Sequence, residues 1–244
     1  MTDVQTVRAR LRANVRRRRR SSIQLDRLFK RFTRALAFSI VCAAAFGCIA
    51  LLIGIQAIAA FDSAVIGAVQ GLEAAPLTAV MNAFTQIGAG PAVAVITVAV
   101  GAFLYKALGH RKELLLLAVS VGGSALLNAL LKLAFRRDRP TLHRIGEATG
   151  YSFPSGHSMT AFCLYGTLAY LLWNHIPGTA GRTVLVASSA LFILAIGISR
   201  IYLGVHYPSD VIGGYLASGC WLLGLIWAYS GFGRRSAVTS LGDR

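Results

Sequence analysis

The chain has 244 residues, of which 55% are hydrophobic and only 14% charged, and it carries a formal net charge of +16. So little polar surface excludes a soluble globule of this size, and basic residues without a foldable, aromatic-interleaved surface exclude a nucleic-acid-binding domain. A membrane protein remains, in which a spanning helix takes about 20 mostly apolar residues because every backbone polar group must be satisfied within the segment.

Twelve of the 25 Lys and Arg residues precede the first apolar run, five of them consecutive as Arg16 to Arg20. That run is longer than the roughly 7–15 residues of a cleaved signal, so it reads as an uncleaved signal anchor. Spans are expected at Ala35 to Ala60, Ala89 to Tyr105, Leu114 to Leu133, Met159 to Trp173, Thr183 to Ile198 and Val211 to Tyr229. The expected fold class is all-α: a polytopic membrane protein whose six-transmembrane-helix bundle fills residues 35–230, with a basic arm at 1–34 and a tail at 231–244. Between the first two spans, Val65, Val69, Leu72, Leu77, Val80, Met81 and Phe84 recur at near-helical spacing with Gly and Pro interruptions, which predicts short helices in the outer interface. The four cysteines, Cys42, Cys48, Cys163 and Cys220, all fall within expected spans and form no CxxC pair, so they indicate neither a zinc site nor a disulfide framework.

Alternating the six spans from a cytoplasmic N-terminus puts 19 of the 25 cations inside and leaves six outside, as the positive-inside rule requires. Both termini are then cytoplasmic. The Arg16 to Arg20 run is explained by topology, and near a membrane surface each of its residues also attracts anionic head groups by about 1 kcal/mol.

The six outer cations are Lys132, Arg136, Arg137, Arg139, Arg144 and Arg200. They fall in or beside three polar clusters on the same side: Lys132 to Pro140 after the third span, Pro154 to His157 before the fourth, and Ser199 to Asp210 between the fifth and sixth. Charge at a helix end near the bilayer core costs free energy unless it is paired or hydrated, so cations kept there against the topological trend imply a bound anion. Lys132, Arg139 and Arg200 are the candidates. Arg136, Arg137 and Asp138 read as local pairing or head-group contact, and His143, Arg144, Glu147 and Tyr151 as an ordinary hydrated loop.

These residues spell K-x6-R-P (Lys132, Arg139, Pro140), P-S-G-H (Pro154 to His157) and S-R-x5-H-x3-D (Ser199, Arg200, His206, Asp210). In this order and spacing they resemble the type 2 phosphatidic acid phosphatase superfamily. Six spans and the wording GISRIYLGVHYPSDVIGG bring the chain nearest to its small bacterial phosphatidylglycerophosphatase B and undecaprenyl-diphosphate phosphatase group. The motif-bearing resemblance covers about Leu114 to Tyr229 and implies a metal-independent lipid phosphatase of the bacterial inner membrane.

Phosphoryl transfer spreads charge over equatorial oxygens, so catalysis is mainly positioning and electrostatic stabilisation. At an effective dielectric near 20, a charge pair about 4 Å apart is worth about 4 kcal/mol before desolvation, so several cations substitute for a metal ion. No carboxylate cluster offers Mg²⁺ a site, and no cofactor or metal is expected. Arg139 and Arg200 suit bidentate clamps, with Lys132 as a further point charge. The Ser155 hydroxyl and the backbone N–H groups around Gly156 and His157 are expected to face outward at a helix start. Asp210, four residues after His206, reaches back to select its tautomer, leaving the other ring nitrogen to attack phosphorus and form a phosphohistidine. His157 supplies the leaving-group proton and then activates water. The resemblance implies the same roles.

The expected partner is an anionic lipid within a membrane: phosphatidylglycerol phosphate, undecaprenyl diphosphate or phosphatidic acid, presented to an extracytoplasmic site. Two alternatives use the same cations, an anion-binding transporter, which leaves the paired histidines unexplained, and a phosphotransferase that differs only in its acceptor.

Overall fold

A computed structural model of the protein describes residues 33–108, 111–141 and 143–242. The described residues form eight helices and no strand. They are α1 (Thr33–Gly54), α2 (Ala59–Gln70), α3 (Ala75–Ile87), α4 (Gly90–Leu108), α5 (Arg111–Phe135), α6 (Gly156–Leu172), α7 (Thr179–Tyr202) and α8 (Pro208–Gly242). Large apolar side chains on α1, α4, α5 and α7, among them Leu51, Val98, Leu126 and Leu191, point away from the protein, as a lipid-facing surface requires. The Arg16 to Arg20 run lies outside the described residues.

Four helices are long and apolar enough to cross a membrane: α1, Glu113–Phe135 of α5, α7, and Pro208–Tyr229 of α8. The bent pair α2 and α3 also passes if taken as one span, which makes up to five among the described residues, so length and composition do not show the expected six. The apolar stretch of α4 is shorter, Gly90–Lys106, and α6 has only 17 residues and carries buried Ser158 and Thr167. α6 tolerates those groups because it is packed between α5, α7 and α8, where polar side chains find partners. Thr167 donates to Ser120 Oγ at 2.7 Å and Ser218 to the Met159 carbonyl at 3.1 Å.

The first span is shorter than expected, since α1 ends at Gly54 rather than continuing to Ala60. Gln56 has a positive φ of 59°, which breaks the helical ladder and turns the chain into α2. α2 and α3 are the expected short helices, bent against each other by 120°. Pro76 suits the first turn of α3, where no backbone donor is needed. At the other end, α8 continues through Gly242.

The loop between α5 and α6 carries two of the motifs and is pinned at three points. Ser152 N–H donates to the Arg137 carbonyl at 2.7 Å, and Ser155 N–H to the Asp210 carbonyl at 3.0 Å. The fully buried Phe153 ring stacks on Phe46 of α1 at 5.4 Å and meets Phe135 of α5 edge-on at 5.1 Å. Gly213 of α8 lies so close that a Cβ there would sit 2.4 Å from the Phe153 ring. The α7–α8 turn is held from above, with Ile145 and Gly146 N–H both donating to the Leu203 carbonyl. Gly204 in that turn has φ +69°, and a side chain there would run into the His143 carbonyl.

Candidate active site

A cavity of about 380 Å³ opens where α5, α6, α7 and the two motif loops meet. Lys132, Arg139, Gly156, His157, Arg200 and His206 all line it, bringing six of the eight expected site residues onto one space. Asp210 stands directly behind His206, fully buried.

His206 sits in the short turn between α7 and α8, 2% exposed. Its Nδ1 faces Asp210 Oδ2 at 3.3 Å and its Nε2 faces Arg139 Nη1 at 3.1 Å. A guanidinium nitrogen only donates, so Nε2 is the unprotonated nitrogen and Nδ1–H donates to the carboxylate. The lone pair therefore points toward the cavity. Burial pushes the His206 pKa down to about 4, against the hydrogen bond and charge of Asp210, which raise it. The imidazole is neutral at physiological pH, the form a nucleophile needs.

Asp210 is held by donors on both oxygens. Oδ2 accepts from Tyr207 N–H at 2.9 Å, from His206 and from the Ser152 hydroxyl, while Oδ1 accepts from Arg137 Nη1 at 2.6 Å. Such a set fixes the carboxylate's orientation and keeps it charged.

The three cations differ in what they have left to give. Arg139 is occupied: Nε donates to the Gly150 carbonyl (2.9 Å), Nη2 to those of Thr149 (2.9 Å) and Tyr151 (3.2 Å), and Nη1 to Val205 (2.7 Å) as well as to His206. Its charge is fixed beside His206, and the contact to Nε2 is the one an incoming anion can claim. Lys132, at the end of α5, donates to the Tyr151 carbonyl at 2.6 Å, which leaves two of its three donors. Arg200, on the last turn of α7, donates through Nη1 to the Thr85 hydroxyl of α3, while its buried Nε has no hydrogen-bond partner among the described residues. Arg200 also lines the cavity, so its charge stands beside any anion held there.

The Ser155 expectation is corrected. Its hydroxyl is fully buried and turned back as the cap of α6, accepting from Ser158 N–H at 3.5 Å and from the Ser158 hydroxyl at 2.9 Å, and it does not line the cavity. An N-cap side chain must fold over the first turn, which takes it away from an axial ligand. Gly156 does face the cavity, and a Cβ there would come 2.9 Å from Asn128 Oδ1. The first turn of α6 therefore forms part of the cavity wall.

Four contributors escaped the sequence reading. Asn128 lines the cavity and donates to the Pro154 carbonyl at 3.0 Å. Its signal was present, because Ser120, Ser124, Asn128 and Lys132 repeat every four residues along an otherwise apolar helix. Arg137, read as a bystander, bridges Asp210 and the buried Asp62 of α2. Asp62 and Thr85 lie far from every motif in the chain, and only folding brings them to it.

The description "PAP2 superfamily" matches residues 113–234, half of the chain. Phosphatidylglycerophosphatase B of Bacillus subtilis (strain 168) is 37% identical over 143 residues, covering 57% of this chain and 68% of that protein. Undecaprenyl-diphosphatase BcrC of the same organism is 30% identical over 126 residues, covering 50% of this chain and 60% of that protein. The crystal structure of a transmembrane PAP2 type phosphatidylglycerolphosphate phosphatase from Bacillus subtilis superposes with a TM-score of 0.73 at 31% identity, covering 81% of this chain and 96% of that one. With the three motifs converging on one cavity inside the matched region, the chain belongs to the PAP2 superfamily, among its membrane lipid phosphatases.

Proposed function

We propose that this protein hydrolyses the phosphomonoester or diphosphate of a membrane lipid through a phosphohistidine on His206, without a metal ion. The observation that carries the reading is the His206 lone pair, aimed past Arg139 into a cavity that Lys132 and Arg200 also line. The lipid phosphate takes those donors together with the backbone N–H groups at the start of α6. His206 Nε2 then attacks phosphorus, a P–N bond forms, and the bond to the leaving oxygen breaks. Protonated His157 gives its proton to that oxygen, the bound phosphate supplying the counter-charge. In the second half, His157 takes a proton from water, the water oxygen bonds to phosphorus, and the P–N bond breaks to release inorganic phosphate. Asp210 orients His206 and stabilises its cationic adduct.

In this reading α2 and α3 lie in the outer interface and the other six helices cross the bilayer. Both termini are then cytoplasmic and the cavity opens on the extracytoplasmic face of a bacterial inner membrane. The distribution of Lys and Arg supports that orientation. Phosphatidylglycerol phosphate, undecaprenyl diphosphate and phosphatidic acid all fit an anionic head above an apolar tail. The names of the relatives favour the first two.

Phosphate release by purified protein in detergent, measured across these three lipids in excess EDTA, tests the function. Release from at least one is expected. No release from any supports anion binding without hydrolysis, loss in EDTA contradicts metal-free chemistry, and transfer to a second lipid instead of water identifies a phosphotransferase. Glu147→Cys at the cavity rim tests the orientation: it reacts with a membrane-impermeant maleimide in intact cells if the reading holds, and only after permeabilisation if it does not.

A further inference from the structure

The outer helical pair lies outside the residues matched by the family description, yet α2 delivers a carboxylate to the site. Asp62 is the one charged residue of α2 and is 1% exposed. Arg137 holds it through Nη2 at 2.8 Å and holds Asp210 through Nη1 at 2.6 Å, while its guanidinium lies over the Tyr207 ring at 4.0 Å. Asp62 also grips the first turn of α8. Ser209 N–H donates to Oδ1 at 2.9 Å and the Ser209 hydroxyl to Oδ2 at 2.6 Å, and that hydroxyl accepts from Arg137 Nη1 at 2.8 Å. Asp62 does not line the cavity, so it has no route to the phosphate except through these groups.

We infer that Asp62 is a positioning residue of the hydrolytic site, acting through Arg137 on Asp210 and so on His206. The inference rests on His206 being the nucleophile. Its physical content is a charge count: Arg137 alone would neutralise Asp210 and weaken what the carboxylate offers the imidazole. With a second buried carboxylate on the same guanidinium, the three groups together remain at net minus one, and Asp210 keeps its charge toward Nδ1. A single buried acid on an apolar helix at the membrane costs free energy, and a merely structural clamp on Arg137 does not require one, since Asp210 already pairs with it. Two fixed ends on the guanidinium also stop it from swinging into the cavity or away from Oδ1.

The test uses the full chain in detergent with whichever lipid the wild type hydrolyses fastest. Asp62→Asn keeps the shape and the Ser209 N–H bond but removes the charge. It is expected to lower kcat by about tenfold to a hundredfold, in the range seen when partners that orient a catalytic group are removed, with KM within about threefold. The groups facing His206 are Asp210 of α8, Arg139 of the α5–α6 loop, Arg200 of α7 and His157 of α6, and all stay in place. The guanidinium, now less compensated, opposes the imidazolium, so the acid limb of kcat/KM moves to lower pH. A loss of folded protein alone does not move that limb. If Asp62 acts only through Arg137, Asp62→Asn combined with Arg137→Gln is no slower than Arg137→Gln alone. Wild-type kcat and an unmoved limb in Asp62→Asn, or losses that add in the double variant, overturn the inference. Should Asp62→Asn not run as a monodisperse folded species, Arg137→Lys carries the test. It keeps the charge but cannot span both carboxylates, so a loss of about tenfold in kcat is expected, and wild-type kcat overturns the inference. A wild type that releases no phosphate overturns the hydrolase reading and this one with it, whereas an active wild type with an indifferent Asp62 overturns this one alone.

Discussion

Asp210→Asn separates what the carboxylate does for chemistry from what it does for folding. In the native protein its two oxygens accept from Arg137, Tyr207 N–H, Ser152 and His206. The amide replaces one acceptor by a donor, and either rotamer sets NH₂ against an N–H that has nowhere else to go. With the amide nitrogen toward Nδ1, His206 shifts its proton to Nε2 and loses the lone pair aimed at the cavity. The same tautomer reversal in Ser-His-Asp triads costs about ten-thousandfold in kcat, or about 5.5 kcal/mol of transition-state stabilisation. Breaking a buried ion pair costs about 3–5 kcal/mol of stability, and the lower end applies here because Arg137 keeps Asp62. Phosphate release and apparent Tm, measured on the same detergent-solubilised sample, give both numbers. A folded Asp210→Asn protein whose kcat stays within about tenfold of wild type would refute the tautomer argument.

The depressed pKa of His206, about 4 against about 6.5 in an unfolded chain, fixes the sign of two pH effects. Between these values the unfolded state binds the extra proton and the folded state does not, so the contribution is intact above about pH 6.5 and is lost as pH falls toward 4. The acid limb of kcat/KM is likewise expected near pH 4, and a limb near 6.5 would mean an exposed, unshifted imidazole. Gly213→Ala is expected to destabilise the protein by about 2 kcal/mol through overpacking against Phe153, read as a lower apparent Tm, and an unchanged Tm would show that the aromatic stack yields freely.

The cavity lining was largely legible before folding because helix ends sort polar residues by membrane face. Once the positive-inside reading puts Lys132, Arg139, Gly156, His157, Arg200 and His206 on one side, few arrangements keep them apart. Ser155 was misread for a local reason, since the same hydroxyl that suits an anion also suits the cap of α6, and the cap wins when the side chain is buried. Asp62 and Thr85 carry no local signal at all: they meet Arg137 and Arg200 across 75 and 115 residues of chain, and hydrophobic periodicity in α2 and α3 describes only how those helices lie. Length and hydropathy do not mark α6 as a span, because burial among other helices removes the need for an apolar surface that hydropathy detects.

In the proposed reaction phosphorus becomes bonded to His206. Rapid alkaline quench of the His157→Ala protein with ³²P-labelled p-nitrophenyl phosphate, whose leaving group needs no proton, followed by peptide mapping, tests it directly, because for this substrate the variant lacks only the group that activates water. Label on the peptide containing His206, absent from His206→Ala, is the expected result. Turnover by the wild type with no label on any peptide, or label on a different residue, would contradict the account.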